Sequence, residues 1–201
     1  MTEQIRESRG KLTVFLGAAA GVGKTYTMLE TARQRLTKGV DVAVGWIETH
    51  GRSEIEQLLD GLPRIAPQEI RLPGQLYFEM DAAAIEQRRP QLVLIDDLAH
   101  VNAPGCCHLR RYQDVEDLLQ AGIDVYTTLN IQHLESLNDI VARITGVVVV
   151  NTVPDHFLEQ AESVQLVDIS ADELIKRLDG SDAGLSVVES PELRKFYRPG
   201  N

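Results

Sequence analysis

LTVFLGAAAGVGKT, residues 12–25, opens with six apolar or β-branched residues that read as a buried strand (12–17). A strand with no polar face suits a parallel sheet covered on both sides. The run then turns glycine-rich and ends in Gly23-Lys24-Thr25. An amphipathic helix (25–36) follows at once, with Met28, Leu29, Ala32 and Leu36 on one face and Gly39 as its stop. Strand, glycine-rich turn and helix in this order make the phosphate-loop pattern G-x-x-x-x-G-K-T, with one departure. The first glycine position falls on Ala18, and Gly17 stands one residue earlier. The amides of Gly21, Val22, Gly23, Lys24 and Thr25 would curl into an anion nest at the helix N-terminus. Lys24 would reach the β- and γ-phosphates of ATP, and the Thr25 hydroxyl would hold magnesium. A plain turn joining strand to helix would need no ligand. The rival dinucleotide pattern G-x-G-x-x-G fails because Tyr26 occupies its third glycine position.

Outward from this stretch the chain keeps alternating. Strands are expected at 40–48, 69–72, 92–96, 123–130, 147–153 and 163–169. Helices are expected at 53–59, 81–89, 112–122, 132–146 and 171–178, the first opened by a capping box of Ser53 and Glu56. Such alternation predicts a three-layer, doubly wound α/β domain with a mostly parallel sheet, like that of phosphate-loop NTPases. The expected division is an N-terminal tail (1–10), one nucleotide-binding domain (11–179) and a polar tail or linker (180–201). In such folds ligands bind at the carboxyl ends of the strands.

Leu92-Val93-Leu94-Ile95-Asp96-Asp97 is a second element of the same chemistry. An apolar strand delivers paired carboxylates to the ligand edge, where Asp96 would accept from a water on magnesium. Asp97 stands where ATPases often carry a glutamate that orients the attacking water. It is one methylene shorter, so it is read either as that catalytic group or as a cap or solvated residue. Weaker candidates lie on the same edge. Glu48-Thr49-His50-Gly51-Arg52 could sense a γ-phosphate or be a polar turn. Asn130, Gln132 and His133 could read phosphate state or, for Asn130, cap a helix. Arg110 and Arg111 begin a helix, where positive charge opposes the macrodipole and hints at an anion. Cys106-Cys107-His108 lacks the spacing of a zinc pair.

Composition narrows the classes. The chain has 201 residues, 43% apolar and 25% charged, with a formal net charge of −10. That argues against a general nucleic-acid coat or a polybasic membrane anchor. Adjacent Cys106 and Cys107 make no disulfide framework and favour a reducing compartment. The N-terminus has no apolar core of a secretory signal, and no apolar run approaches the length of a bilayer span. Contact with nucleic acid or membrane by this chain itself is therefore not expected. The polar end carrying Pro191 and Pro199 reads as a linker that could continue into something longer.

Several strings together resemble one family. GAAAGVGKTY (17–26), GWIETHGR (45–52), DDLAHVNAPG (96–105), YQDVEDLL (112–119) and AGIDVYTTLNIQHLESLNDIVARITG (121–146) are similar to the N-terminal cytoplasmic domain of the KdpD family. These are membrane-bound sensor histidine kinases of potassium-transport two-component systems. The resemblance covers about residues 8–180. It implies an ATP-binding regulatory domain at the cytoplasmic face of the inner membrane. Its partners would be the remaining domains of the kinase and, through the kinase core, a response regulator that switches on a potassium-uptake ATPase. The stimulus would be low potassium or osmotic stress. The resemblance carries nucleotide binding to Ala20, Gly21, Val22, Gly23, Lys24, Thr25 and Tyr26, and magnesium to Thr25 and Asp96. Ala20 stands where the family usually has proline, and Asp97 where it usually has glutamate. The full-length parent would be a protein kinase, whereas this chain would be a slow ATPase at most.

A free-standing phosphotransferase, thymidine-kinase-like, is the alternative. It would need an acceptor pocket lined with aromatics and a cationic lid. The chain has four Phe, five Tyr and one Trp, and no zinc-pair spacing.

Overall fold

The computed structural model describes residues 9–169. The expected helix at 171–178 and the tail at 180–201 lie outside them. In chain order the described elements are β1 (Leu12–Gly17), α1 (Lys24–Thr37), β2 (Val42–Trp46), α2 (Ser53–Leu59), β3 (Gln68–Leu72), β4 (Gln75–Glu79), α3 (Ala82–Arg88), β5 (Leu92–Ile95), α4 (Arg111–Gln120), β6 (Asp124–Asn130), a 3₁₀ turn (Ile131–His133), α5 (Glu135–Thr145), α6 (Asp155–Glu159) and β7 (Ser163–Val167). None of these helices is long and apolar enough to cross a membrane.

Five strands form one sheet in the order β2-β5-β6-β1-β7, and every neighbouring pair is parallel. The strands are apolar throughout because alternate side chains enter two different cores. Val42, Val44, Leu92 and Leu94 pack with Leu29 and Ala32 of α1 and Ile55 and Leu59 of α2. Val93 and Ile95 point the other way, with Leu12, Val14, Val125 and Leu129. They meet Ile85 of α3, Leu118 and Leu119 of α4 and Phe157 of α6. Each such side chain contributes about 1.5–3 kcal/mol on burial, so a one-residue slip in register would be costly on both faces.

The order of the sheet places the ligand edge. From β1 the chain leaves for β2 at one edge, and from β6 it reaches β7 at the other. β1 and β6 are neighbours, with Gly17 opposite Asn130 in register. Where adjacent strands send their connections in opposite directions, a crevice opens at their carboxyl ends.

Several sequence expectations are corrected. The run at 147–153 is no strand: β7 already occupies the place beside β1, and within the run only Val153 makes a bridge, to Leu134. Val148 and Val150 are exposed. The strand expected at 69–72 lies outside the parallel sheet, in an antiparallel hairpin with β4, which the sequence reading did not assign. Pro73-Gly74 makes the two-residue turn, and Gly74 takes the left-handed φ of 82° that such a turn requires. The capping box at Ser53 does not form: Arg52 is the N-cap and makes no side-chain cap bond. Glu56 instead accepts from the Thr49 hydroxyl at 3.4 Å.

The hairpin is tied to the sheet through a buried ion pair. The Glu79 carboxylate, 5% exposed, accepts from the Ala103 amide at 2.8 Å, from His100 Nε2 at 3.0 Å and from Arg111 Nη2 at 3.5 Å. Arg111 is 1% exposed, donates to the Asp96 carbonyl at 3.0 Å, and lies 5.1 Å from the centroid of the Trp46 ring. It is therefore a buried strut and not the free anion contact read from its place at a helix start. Removing one partner of a buried pair leaves an uncompensated charge and costs roughly 3–5 kcal/mol. Arg111→Met should lower stability to urea by that order. Arg111→Met combined with Glu79→Gln should recover part of the loss, and a double variant no more stable than the single one would refute the coupling.

Candidate functional site

The carboxyl ends of β1, β2, β5 and β6 border a cavity of about 230 Å³. Each wall comes from a different strand. The loop after β1 and the first turn of α1 supply Ala20, Gly21, Gly23, Lys24 and Thr25. The end of β2 and the loop beyond it supply Trp46, Glu48, His50 and Arg52. Asp96 and Asp97 follow β5, while Thr128, Leu129 and Asn130 end β6, with His133 in the turn beyond.

The loop after β1 is held from below. A Cβ on Gly17 would come within 2.6 Å of Val22 Cγ2 and 2.9 Å of Lys24 Cδ, so glycine lets the loop close onto the strand end. Gly21 and Gly23 take φ of 87° and 104°, which disfavour any residue with a Cβ. The amides of Gly21 and Gly23 donate to no group among the described residues. Val22 turns its side chain inward, where it packs with Ala19, Val167 and Ile169. Tyr26 faces away from the cavity, with its hydroxyl 3.5 Å from Glu30. Of the nucleotide-binding residues expected from the sequence, the fold brings Ala20, Gly21, Gly23, Lys24 and Thr25 to the cavity. It leaves the side chains of Val22 and Tyr26 outside.

Lys24 and Asp96 set the electrostatics. Lys24 is 8% exposed and folds back so that Nζ donates to the Ala19 carbonyl at 2.8 Å. Burial pulls its pKa down to about 8, against the opposing attraction of Asp96 and Asp97. Asp96 accepts from Thr25 Oγ1 at 3.0 Å and from Thr128 Oγ1, so one carboxylate ties α1 and β6 to β5. Burial raises its pKa, against hydrogen bonds from Thr128 and Thr25 that favour the charged form. Asp97 is exposed and left-handed, with φ of 54°. Its amide donates to Thr128 Oγ1 at 3.1 Å, which leaves its carboxylate at the cavity wall.

The third wall is less satisfied. Asn130 makes no side-chain cap bond, and its Oδ1 is buried without a hydrogen-bond partner. His133 is oriented by Nδ1, 2.7 Å from the Asn151 carbonyl. Arg110 is 2.8 Å from Asn151 Oδ1, so it is engaged away from the site. Three lining residues, Trp46, Thr128 and Leu129, escaped the sequence reading. Trp46 lay unremarked in the strand expected at 40–48, and the pairing shifts register between Val44 and Trp46. Thr128 sat in a strand of ordinary β-formers. A hydroxyl in an otherwise apolar strand one or two residues from its end is a usable signal for such a role.

These groups suit an anion and a hard cation together. Open amides and a buried ammonium face a carboxylate and a hydroxyl, oxygen donors of the kind that magnesium prefers.

Comparison with known proteins bears on the same residues. The family described as "KdpD: Osmosensitive K+ channel His kinase sensor domain" matches residues 8–201. The chain is 47% identical over 193 residues to the "Sensor protein KdpD" of Escherichia coli (strain K12), across 96% of this chain and 22% of that protein. It is 43% identical over 201 residues to the protein of that name from Mycobacterium tuberculosis (strain CDC 1551 / Oshkosh), across 100% of this chain and 23% of that protein. For the protein of that name from Clostridium acetobutylicum the identity is 49% over 175 residues, across 87% of this chain and 19% of that protein. The chain thus spans no more than about a quarter of these curated relatives. The resemblance carried by the strings at 17–26, 45–52, 96–105, 112–119 and 121–146 is borne out, and the chain belongs to the KdpD sensor-domain family.

Proposed function

We propose that this chain is an ATP-binding regulatory module of a longer sensor kinase, and that its loop at 17–25 is a phosphate loop. The observation that carries the reading is the meeting of Lys24 and Thr25, in the first turn of α1, with Asp96 at the end of β5 across one cavity. A lysine is buried at the cost of its own ionisation beside open glycine amides. A bound anion would favour the ammonium of Lys24 and give the open amides an acceptor.

Each residue then has a task. The amides of 21–25 hold the phosphate chain, and Lys24 leaves the Ala19 carbonyl to meet its terminal oxygens. Thr25 and Asp96 would hold magnesium, which supplies positive charge along the phosphates when bound. Hydroxyl and carboxylate already lie 3.0 Å apart, which supports a shared cation. Asp97 would orient a water, and its short side chain limits that role. The remaining domains of the kinase, a response regulator reached through the kinase core, and the cytoplasmic face of the inner membrane complete the reading. Occupancy by ATP would tune a response to potassium or osmotic stress.

Three outcomes are expected. Lys24→Ala should remove a charge-assisted contact worth about 1.5–3 kcal/mol, roughly 10- to 150-fold in Mg-ATP affinity. Titration calorimetry checks it, and equal binding by wild type and variant refutes it.

The second concerns pH. Phosphate needs the ammonium form of Lys24, so affinity should be level below about pH 7.5 and fall as pH rises through the free-protein pKa of about 8. The Lys24→Ala profile should lack that fall. The sign for stability is opposite. Between about 8 and 10.5 the unfolded chain holds a proton that the folded one has released. The unliganded fold should therefore gain stability across that interval.

The third is turnover. Phosphate release under saturating Mg-ATP should stay well below about 1 s⁻¹, and Asp97→Glu should raise it by restoring reach. A rate in the ordinary enzymatic range, lost in Lys24→Ala, would favour a phosphotransferase. Acceleration by added nucleosides would point to the thymidine-kinase-like alternative.

A further inference from the structure

We propose that Arg52 is a second cation on the terminal phosphate of the bound nucleotide, and that it makes the site select a triphosphate over a diphosphate. The inference rests on the nucleotide reading and adds to it a specificity residue from a different wall of the cavity.

The loop beyond β2 is built to deliver this side chain. His50 and Gly51 are both left-handed, with φ of 49° and 71°. A non-glycine residue in that region is uncommon, and at this loop it tightens the turn. The two residues reverse the chain, and the Arg52 amide closes the turn onto the Thr49 carbonyl at 3.0 Å. Arg52 Nε is also anchored to that carbonyl, at 3.3 Å. One edge of the guanidinium is thus tied to backbone.

Among the described residues no carboxylate forms an ion pair with Arg52, and Glu48 on the same loop lies 3.6 Å from His50. Arg52 is the N-cap of α2, where the macrodipole disfavours a cation. It lines the cavity that also holds Lys24, and its charge disfavours the Lys24 ammonium. Two cations from different walls of one cavity are placed to share an anion between them. The glycine loop cradles the phosphate chain from the β1 side, with Lys24 on its β- and γ-phosphates. The wall formed by β2 lies beyond β5 and β6 from that loop, so Arg52 would meet what projects furthest from it. That is the γ-phosphate, which ADP lacks. A planar guanidinium can take two phosphate oxygens at once.

The test is the ratio of ATP to ADP affinity, measured by calorimetry with magnesium and counted per folded protein. Trp46, the single tryptophan, lines the same cavity and gives a fluorescence readout of occupancy and of melting. Arg52→Gln should weaken ATP by about tenfold or more, leave ADP within about twofold, and melt near wild type. Arg52→Lys should restore part of the ATP affinity. Equal losses for both nucleotides, or no loss for either, would overturn the assignment and make Arg52 a solvated or structural cation. Lys24→Ala separates the two levels of the argument, since it should weaken ATP and ADP together. Wild-type protein that binds neither would sink the nucleotide reading and this inference with it.

Discussion

A guanidinium buried to 1% exposure lies directly under the floor of the site. Arg111 reaches the Asp96 carbonyl, the Trp46 ring and the Glu79 carboxylate at once. It therefore couples the ends of β5 and β2 to the hairpin that the sheet itself does not include. Burial lowers its pKa, with Asp97 and Glu79 opposing that shift, and an arginine remains charged in any case. The local polar groups are arranged around this fixed charge. Glu79 is enclosed to face it, His100 and the Ala103 amide complete the carboxylate's hydrogen bonds, and the Asp96 carbonyl turns inward.

Above this strut a single carboxylate gathers three elements. Asp96 takes hydroxyls from α1 and β6, so the position of Thr25 depends on the packing of β5 between β2 and β6. The parallel sheet explains why the polar groups meet there. Its two faces are consumed by the apolar clusters, and the carboxyl edge, at the reversal between β1 and β6, is free to be polar. The non-glycine residues with positive φ include His50 and Asp97, which stand on this edge.

The places where sequence reasoning failed share a cause. The valines at 147–150 have every local attribute of a strand, yet they join no strand, and Val148 and Val150 are exposed. The hairpin residues 75–79 alternate correctly after Pro73-Gly74, yet the length of the run gave no hint that it would pair outside the main sheet. Arg111 read as a hint of anion contact at a helix start because a sequence does not say what lies over a helix. Trp46 drew no notice within the strand expected at 40–48, because the register shift between Val44 and Trp46 is invisible locally.

What the sequence alone determined is whatever depends on short spacings. Gly17, Gly21, Gly23, Lys24 and Thr25 are close in the chain, so the shape of their loop follows from φ preferences and a helix start. The apolar runs at 12–17 and 92–95 announce buried parallel strands, and Asp96 follows from the end of one. The family too was legible, because long strings such as 121–146 are specific. What only the tertiary structure decided is which distant groups share the cavity. Arg52, Trp46, Thr128 and Asn130 come to Lys24 through the strand order β2-β5-β6-β1-β7, and nothing in their spacing encodes that order. Strand order is set by which apolar faces bury best against which helices, a property of the whole core, whereas a loop's conformation is settled among neighbours.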